Sequence, residues 1–307
     1  MAAGELASSS RPAPWLQPLT ERFSQLRQQQ RLPHALLIDG APGWGQAQLA
    51  ALLTLDLLEV TGRNKSGDVA ELAHPNLRWL EPNGANIAVD QVRAATHFAN
   101  TTAQGGGAKV LVINQAHLLN LSSANALLKT LEEPGANTYL ILATGYPARL
   151  LPTVRSRCQR FTVQGTKAQA LQWLGQDDTG VDALLFEFGG APFATKQAQR
   201  AGTQPLQPLL EKCLREAAPA TLVADLLALA PEGADPAELG LRWLRYAIGQ
   251  ASGQVTFPAL AACPQRGLFG FCDELLAVQR QLLASNSVNT KLQFERLLVL
   301  WRNLAAL

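Results

Sequence analysis

One arginine near the middle of the chain has the clearest capacity for chemistry. Arg157 lies in the sequence Ser156-Arg157-Cys158, shortly before a run that predicts a strand. A guanidinium stays charged and offers a planar fork of donors to phosphate oxygens. An isolated arginine beside a strand is ordinarily half of a surface ion pair, so its context decides. We take Arg157 as the candidate catalytic residue, with Ser156 and Cys158 as motif neighbours, and Cys158 as a packed thiol because no histidine partner is indicated.

A glycine-rich turn is the second candidate site. The sequence GAPGWGQA follows an apolar strand pattern, and Gly40 and Gly45 have the spacing of a phosphate-binding loop, with Gly43 between them. In such a loop, free amide groups and a helix N-terminus face an anion, and a Lys followed by Ser or Thr completes the site. Gln46 and Ala47 replace these two residues. The sequence therefore predicts a degenerate phosphate loop that keeps the shape without the chemistry.

A second part of the expected nucleotide site also lacks its charged residues. A buried strand predicted at residues 109–113 leads directly into Asn114 and Gln115. A hydrolytic nucleotide site would have Asp-Glu there, to hold magnesium and activate water. Both carboxylates are replaced by amides, which makes this a degenerate metal and water site. Together with the loop, it predicts that the chain has no ATP site of its own.

The elements that must position these residues change along the chain. Strand and helix patterns alternate in the first half, which predicts an α/β core, and only helical patterns follow from residue 167. The predicted strands cover residues 34–38, 76–80, 109–113, 139–143 and 160–163, and the predicted helices residues 16–30, 48–60, 89–102, 124–133, 168–174, 181–188, 193–200, 237–251, 268–284 and 290–304. A linker is expected at residues 204–208, which contain two prolines.

The helix before Pro134 has two features of interest. Ser122 and Ser123 are predicted to cap its start. Glu132 and Glu133 lie at its C-terminal end, where the helix dipole disfavours negative charge. The acidic pair either meets cations from elsewhere or is simply solvated, and the sequence leaves both possibilities open.

Bulk composition excludes several classes of protein. The chain has 307 residues, 47% of them hydrophobic, and a net charge of +2, which is too small to indicate a dedicated nucleic-acid binder. Its scattered cysteines, without a C-x-x-C pair, indicate neither a zinc site nor a disulfide framework. No apolar run reaches the ~18 residues of a membrane span, and residues 1–14 lack an apolar signal core. We therefore expect a cytoplasmic protein without a membrane partner. The cysteines are Cys158, Cys213, Cys263 and Cys272.

The motifs together resemble the clamp-loader family of AAA+ proteins. The stretches PHALLIDG, GAPGWGQAQLA, SSANALLKTLEEP and LPTVRSRCQRF carry the resemblance, which is strong over residues 14–161. LLKTLEEP followed by SRC is specific to clamp-loader subunits. In its degenerate loop and its lack of Asp-Glu, the chain resembles the delta-prime subunits of bacterial DNA polymerase III. The ATP-hydrolysing gamma/tau subunits differ in both features.

The resemblance implies a fold, a set of partners and a role for one residue. It implies a RecA-like AAA+ domain at residues 1–165, a small helical lid at 166–203 and an all-α collar for oligomerisation at 204–307. Arg157 would be an arginine finger that acts in trans on ATP bound by a neighbouring gamma/tau subunit. The partners would be gamma/tau and delta, with the sliding clamp and primed DNA reached through the complex. The last helix is expected to offer Leu298 and Trp301 to a partner.

The chain differs from the family that it resembles in one segment, and two alternative functions stay open. Similar chains usually carry a four-cysteine zinc module after the first helix of the core, but residues 61–75 contain no cysteine, so we expect no zinc and no other cofactor. Enzyme status is left open, since the chain would be part of a DNA-directed DNA polymerase, a nucleotidyltransferase, yet inactive itself. The alternatives are a self-sufficient AAA+ ATPase with an atypical loop and a helical scaffold that binds DNA directly. Titrating the isolated chain with ATP and with primed DNA distinguishes them.

Overall fold

The chain folds into two compact units, Met1–Trp173 and Leu174–Leu307. The computed structural model describes residues 13–60, 69–84, 86–175, 180–215, 219–229, 236–284 and 289–306. Part of the segment expected to lack a zinc module, residues 61–68, therefore lies outside the described residues. The division into three domains, with boundaries after residues 165 and 203, stays a prediction.

The first unit is built on a five-stranded parallel sheet with the order β2-β3-β4-β1-β5. The strands are β1 (Ala35–Gly40), β2 (Leu77–Leu80), β3 (Lys109–Ile113), β4 (Thr138–Ala143) and β5 (Gln159–Val163). The helices are α1 (Gln17–Gln28), α2 (Gln46–Leu57), α3 (Val89–Asn100), α4 (Leu121–Glu132), α5 (Pro152–Arg155) and α6 (Lys167–Leu174). Every predicted strand is confirmed to within two residues. The inner strands β1, β3 and β4 are continuous apolar runs because they are buried, whereas the edge strands β2 and β5 are partly exposed.

A buried lysine opens the central strand β3. The Nζ of Lys109 donates hydrogen bonds to the carbonyl oxygens of Phe98, Thr101 and Thr102, at 3.1, 2.8 and 3.2 Å, and to the Thr101 hydroxyl at 2.7 Å. It also lies 4.5 Å from the centre of the Phe98 ring. The last carbonyl groups of a helix lack partners within the helix and carry negative partial charge. Lys109 therefore closes the C-terminal end of α3 and ties it to the sheet.

The start of α4 corrects the predicted cap. The side chain of Asn120 accepts a hydrogen bond from the amide of Ser123 at 2.8 Å, so Asn120 is the capping residue. Ser122 and Ser123 lie inside the first turn, and the prediction that they cap the helix is wrong. The Ser123 hydroxyl is buried and donates instead to the carbonyl oxygen of Ile87 at 2.8 Å.

The second unit contains helices only among its described residues. They are α7 (Val181–Glu187), α8 (Pro192–Arg200), α9 (Gln207–Arg215), α10 (Pro219–Ala228), α11 (Pro236–Ala251), α12 (Gln265–Ala284) and α13 (Thr290–Asn303). Within the described part of the chain, no helix is both long and apolar enough to cross a bilayer. The linker predicted at residues 204–208 is wrong in one respect, because Leu206 is buried in the core and α9 begins at Gln207.

A buried ion pair lies at the centre of this unit. The carboxylate of Glu187 contacts the guanidinium of Arg242 at 2.6 Å, and both side chains are almost fully buried. Glu187 also accepts hydrogen bonds from the Tyr246 hydroxyl at 2.8 Å and from the Leu206 amide at 2.6 Å. Arg242 donates to the carbonyl oxygen of Gln204 at 2.6 Å. The network joins α7, the segment before α9, and α11.

The apolar residues of α13 face inward more than the sequence suggested. Leu298 and Trp301 are fully buried, and the Trp301 ring packs against neighbouring aromatic rings of the core. The prediction that these two residues are offered to a partner is therefore wrong. On the same helix, Leu292 and Val299 are exposed, at 60% and 42%. Sequence periodicity identified an amphipathic helix but assigned the wrong apolar residues to its outer face.

Candidate functional site

The glycine-rich turn after β1 has a backbone that depends on its glycines. Gly40, Gly43 and Gly45 all have positive φ values, of 150°, 75° and 106°. Such values favour glycine because a Cβ atom would clash with the backbone. Gly45 precedes the first residue of α2, so the loop runs directly into a helix N-terminus. The glycine-rich turn between a strand and a helix is present, and its interpretation as a degenerate phosphate loop stays a prediction.

Gln46 fills the inside of that loop. Its side chain is only 7% exposed, and its Nε2 donates a hydrogen bond to the carbonyl oxygen of Ala41 at 2.6 Å. A lysine at this position would extend toward phosphate oxygens, whereas the glutamine amide folds back onto its own loop. Ala47 follows and has no hydroxyl to offer a metal ion. The Gln46 amide therefore satisfies one carbonyl group of the loop, and residues 40–47 include no cationic side chain.

Close packing holds the loop from two sides. A Cβ atom added at Gly145 would lie 2.9 Å from the Cα of Pro42, and one added at Gly165 would lie 2.3 Å from the Trp44 ring. The indole nitrogen of Trp15 donates to the carbonyl oxygen of Trp44 at 2.7 Å, and the two rings meet edge to face at 5.3 Å. This packing around the loop was not predicted from the sequence. The available signal was a tryptophan, Trp44, inside a glycine-rich turn.

The degenerate metal site contains a carboxylate that sequence reasoning also missed. The Nδ2 of Asn114 donates to both carboxylate oxygens of Glu81, at 3.0 and 3.2 Å, and the Trp79 indole donates to one of them at 2.6 Å. The Oδ1 of Asn114 accepts a hydrogen bond from the Gln115 amide at 2.9 Å. A carboxylate at position 114 would face Glu81 at hydrogen-bond distance, which requires a proton or a cation between them. The amide makes the contact without either.

Two more polar groups at the carboxyl ends of strands are paired within the chain. Buried Asp39, at the end of β1, contacts the Arg160 guanidinium at 2.8 and 2.5 Å through Oδ2. The Thr144 hydroxyl, just after β4, shares a hydrogen bond of 3.1 Å with the His117 ring and accepts one from the Tyr146 amide at 3.0 Å. Ligands of open α/β sheets bind at this edge. Here Asp39 and Thr144 each have a partner within the chain, although the second carboxylate oxygen of Asp39, Oδ1, is buried without a hydrogen-bond partner.

Arg157 lies in the turn between α5 and β5, and its side chain is 34% exposed. Its Nε and Nη2 contact one carboxylate oxygen of Glu132, at 2.6 and 2.5 Å, and its Nη1 donates to the carbonyl oxygen of Thr153 at 2.9 Å. The two glutamates at the end of α4 therefore have different environments. Glu132 meets a cation of its own chain, and Glu133 is exposed.

Strand register separates Arg157 from the loop of its own chain. In the parallel pair β1 and β5, Leu36 is opposite Gln159 and Gly40 is opposite Val163. Arg157 comes before Gln159, at the amino edge of the sheet, while the loop follows Gly40 at the carboxyl edge. The rise of about 3.3 Å per residue makes this separation at least about 13 Å along the strand. The structure brings the loop and Asn114 to one edge and leaves Arg157 at the other.

The neighbours of Arg157 have no sign of reactivity of their own. Burial raises the pKa of the Cys158 thiol to about 12, so the thiol is protonated at neutral pH, and it packs against the apolar cluster beneath α4 and α5. The interpretation of Cys158 as a packed thiol is confirmed. Ser156 donates its hydroxyl to the carbonyl oxygen of Thr153 at 3.1 Å. Over the described ranges, no group of three His, Cys, Asp or Glu residues is placed to hold a metal ion.

Comparison with known proteins gives one consistent result. The family described as "DNA polymerase III, delta subunit" matches residues 15–167. DNA polymerase III subunit delta' of Pseudomonas aeruginosa is 31% identical, with 95% of this chain and 97% of the relative covered. DNA polymerase III subunit delta' of Escherichia coli K12 is 33% identical, with 93% and 94% covered.

Two more distant similarities agree with these. DNA polymerase III subunit tau of Bacillus subtilis is 37% identical over 99 residues, which are 32% of this chain and 17% of the relative. A crystal structure of a DNA polymerase III gamma subunit-related protein from Thermotoga maritima superposes with a TM-score of 0.59 at 18% identity, covering 95% of this chain and 99% of that one. The predicted fold class, a RecA-like AAA+ α/β core followed by helices, is confirmed.

Proposed function

Because this chain belongs to the delta-prime family of DNA polymerase III subunits, we propose that it is a non-hydrolysing subunit of a clamp loader. It assembles with gamma/tau and delta subunits, and the complex loads the sliding clamp onto primed DNA. Its contribution to the chemistry is Arg157, an arginine finger presented to ATP that a neighbouring gamma/tau subunit binds.

The position of Arg157 carries this proposal. The residue is partly exposed at the amino edge of the sheet, at least about 13 Å along the strand from the loop of its own chain. An arginine in that place has no access to a nucleotide in its own loop, but it is available to a neighbour. Arginine fingers supplied in trans neutralise charge on the transferred phosphoryl group and raise the rate by ~10³–10⁵.

Internal pairing at the carboxyl edge supports the non-hydrolysing role. Gln46 bonds to its own loop, and Asn114 bonds to Glu81, where a working site needs a lysine and a magnesium-binding carboxylate. Calorimetry of the isolated chain with ATP and magnesium tests this directly. We expect no binding at micromolar ATP, and turnover above a mock preparation would favour a self-sufficient ATPase.

Substitution of Arg157 tests the finger. In a complex reconstituted with gamma/tau, delta, clamp and primed DNA, Arg157→Ala should lower ATP hydrolysis by at least about 100-fold at the affected site, with assembly unchanged on gel filtration. Arg157→Lys should recover little, because an ammonium keeps the charge but loses the planar fork. Arg155→Ala, a change of the same type two residues earlier at the end of α5, should stay within about threefold of the unsubstituted complex, if the position of the arginine and not its charge alone matters. Near-normal hydrolysis by Arg157→Ala would leave the chain a purely structural subunit.

We also infer that the chain has no resident zinc. The basis is its four dispersed cysteines and the lack of any cysteine in residues 61–75. Elemental analysis of the purified protein should find well under one zinc per chain, and about one per chain would contradict the inference.

A further inference from the structure

Glu132, the last residue of α4, makes the closest contacts of the Arg157 guanidinium. One carboxylate oxygen receives both Nε and Nη2, at 2.6 and 2.5 Å. Resting on the function proposed above, we propose that Glu132 is the positioning residue of the arginine finger. It holds the guanidinium by one edge, so that the remaining N–H groups can meet phosphate oxygens of a neighbouring subunit.

The count of donors supports an orienting role. A guanidinium has five N–H groups. The contacts with Glu132 and with the Thr153 carbonyl oxygen use three of them, one each on Nε, Nη1 and Nη2. One N–H group then remains on Nη1 and one on Nη2. Two donors on adjacent nitrogens form the pair that binds phosphate oxygens in a bidentate manner.

The carboxylate itself is attached to a firmly held helix end. Leu131, the residue before Glu132, is buried, and its carbonyl oxygen makes a hydrogen bond of 2.8 Å with the His34 ring at the start of β1. The amide of Glu133 donates to the carbonyl oxygen of Lys129 at 2.9 Å and completes the last turn of α4. The end of α4 that carries Glu132 is therefore attached to the sheet by a hydrogen bond within the same unit.

A helix C-terminus is an unfavourable place for a carboxylate, because the helix dipole puts negative partial charge there. Arg157 compensates for this, since its cation lies between Glu132 and a carbonyl oxygen at Thr153. An arginine side chain also has many rotamers, and those must be lost when it meets a phosphate. Holding the guanidinium in place beforehand removes that loss from the catalytic step.

The test uses the reconstituted complex with clamp and primed DNA, and measures kcat and KM for ATP. Glu132→Ala removes the holding oxygen, Glu132→Gln keeps an oxygen acceptor without the charge, and Glu132→Asp keeps the charge but withdraws it by one methylene. Glu133→Ala is the matched control, because that neighbouring carboxylate is exposed and does not contact Arg157. Arg157→Ala is measured alone and combined with Glu132→Ala.

Orientation predicts a specific pattern. Glu132→Ala and Glu132→Asp should lower kcat by about tenfold or more, since small misplacement of a catalytic group is costly, with KM changed less. Glu132→Gln should stay within about threefold and Glu133→Ala should be unchanged. The double variant should match Arg157→Ala, because a missing guanidinium needs no positioning.

Other patterns overturn the proposal, and they separate it from the function on which it rests. If Arg157→Ala is strongly impaired but Glu132→Ala and Glu132→Asp stay within twofold, the finger stands and the positioning role fails. If Glu132→Ala and Glu132→Gln both raise kcat, Glu132 restrains Arg157 and does not position it. If Arg157→Ala itself has normal kcat, the finger fails first. If the Glu132→Ala variant does not assemble, the kcat values of Glu132→Asp and Glu132→Gln are compared instead. A kcat for Glu132→Asp no lower than that for Glu132→Gln then overturns the positioning role.

Discussion

Two amide side chains stand where a working ATP site needs charged ones, and each satisfies neighbouring polar groups. Gln46 bonds to the loop carbonyl of Ala41, and Asn114 bonds to the carboxylate of Glu81. A charged side chain introduced at position 46 or 114 would therefore lie beside a group that now forms a hydrogen bond with an amide. Each of the two amides is therefore held by a hydrogen bond within its own chain.

Asn114→Asp provides a pH-dependent test of that view. The new carboxyl group would lie about 3 Å from Glu81, so one of the two acids should have a raised pKa in the folded state. The folded state then binds more protons than the unfolded one, and stability falls as pH rises from about 4 to about 7. Compared with the unsubstituted chain, we expect a loss of about 1–3 kcal/mol at pH 8 and much less at pH 4.

Urea denaturation at both pH values measures this difference. Gln115→Glu is the control, because it adds the same charge at an exposed neighbouring position. An equal loss of stability at pH 4 and pH 8 for Asn114→Asp would show that charge repulsion with Glu81 is not the cause.

Helix α3 is joined to strand β3 by one buried cation. Replacing Lys109 with methionine keeps most of the side-chain volume but leaves the carbonyl oxygens of Phe98, Thr101 and Thr102 without this donor. Because hydrogen bonds from charged groups contribute about 1.5–3 kcal/mol, we expect Lys109→Met to cost about 2–3 kcal/mol. Thermal or urea unfolding measures the loss. Lys129→Met, at an exposed site on α4, should change stability by less than about 0.5 kcal/mol.

Helices α7 and α11 of the second unit are joined by the pair of Glu187 and Arg242. Arg242→Met leaves the buried Glu187 carboxylate without its cation and should cost about 3–5 kcal/mol. Adding Glu187→Gln should restore part of this, because the amide oxygen can still accept from Tyr246 while the buried charge is gone. Arg215→Met, which removes an exposed arginine, is the control. A double variant no more stable than Arg242→Met would argue against the charge as the cause.

At the scale of the whole molecule, the place where the chain divides can be tested with fragments. A fragment ending at residue 173 contains the complete first unit and should fold and resist protease. A fragment ending at residue 203 would add α7 and α8 without Leu206, Arg242 and Tyr246, the partners of Glu187. Its residues beyond 173 should therefore be cleaved rapidly, because a buried carboxylate without partners is unfavourable.

Limited proteolysis followed by mass spectrometry locates the cleavage sites in both fragments. The full chain is the control, in which α7 and α8 should be protected. Protection of residues 181–200 in the longer fragment would show instead that the helices predicted as a lid are an independent domain.

The local features of this protein follow from short stretches of its amino-acid sequence. The five strands, the helices around them other than the four-residue α5, the spacing of Gly40 and Gly45 and the amides at positions 114 and 115 are all visible in short stretches, because neighbouring residues alone set their periodicity and composition. The specific motifs in those stretches also identified the family, which the relatives confirm. Ser122 and Ser123 show the limit of such reasoning, since three polar residues within four positions could each cap α4. Asn120 is the cap, and the Ser123 hydroxyl bonds to the distant Ile87 carbonyl instead.

The contacts between distant residues depend on how the strands and helices pack in three dimensions. Strand register placed Arg157 at the edge opposite its own loop, and chain reversal brought Glu132 to it across 25 positions of sequence. Packing also turned Leu298 and Trp301 inward, because several helices compete for one core and only the final arrangement determines which apolar face is covered. Long-range partners leave no periodic signal in the sequence, since any of many polar residues could satisfy the same group.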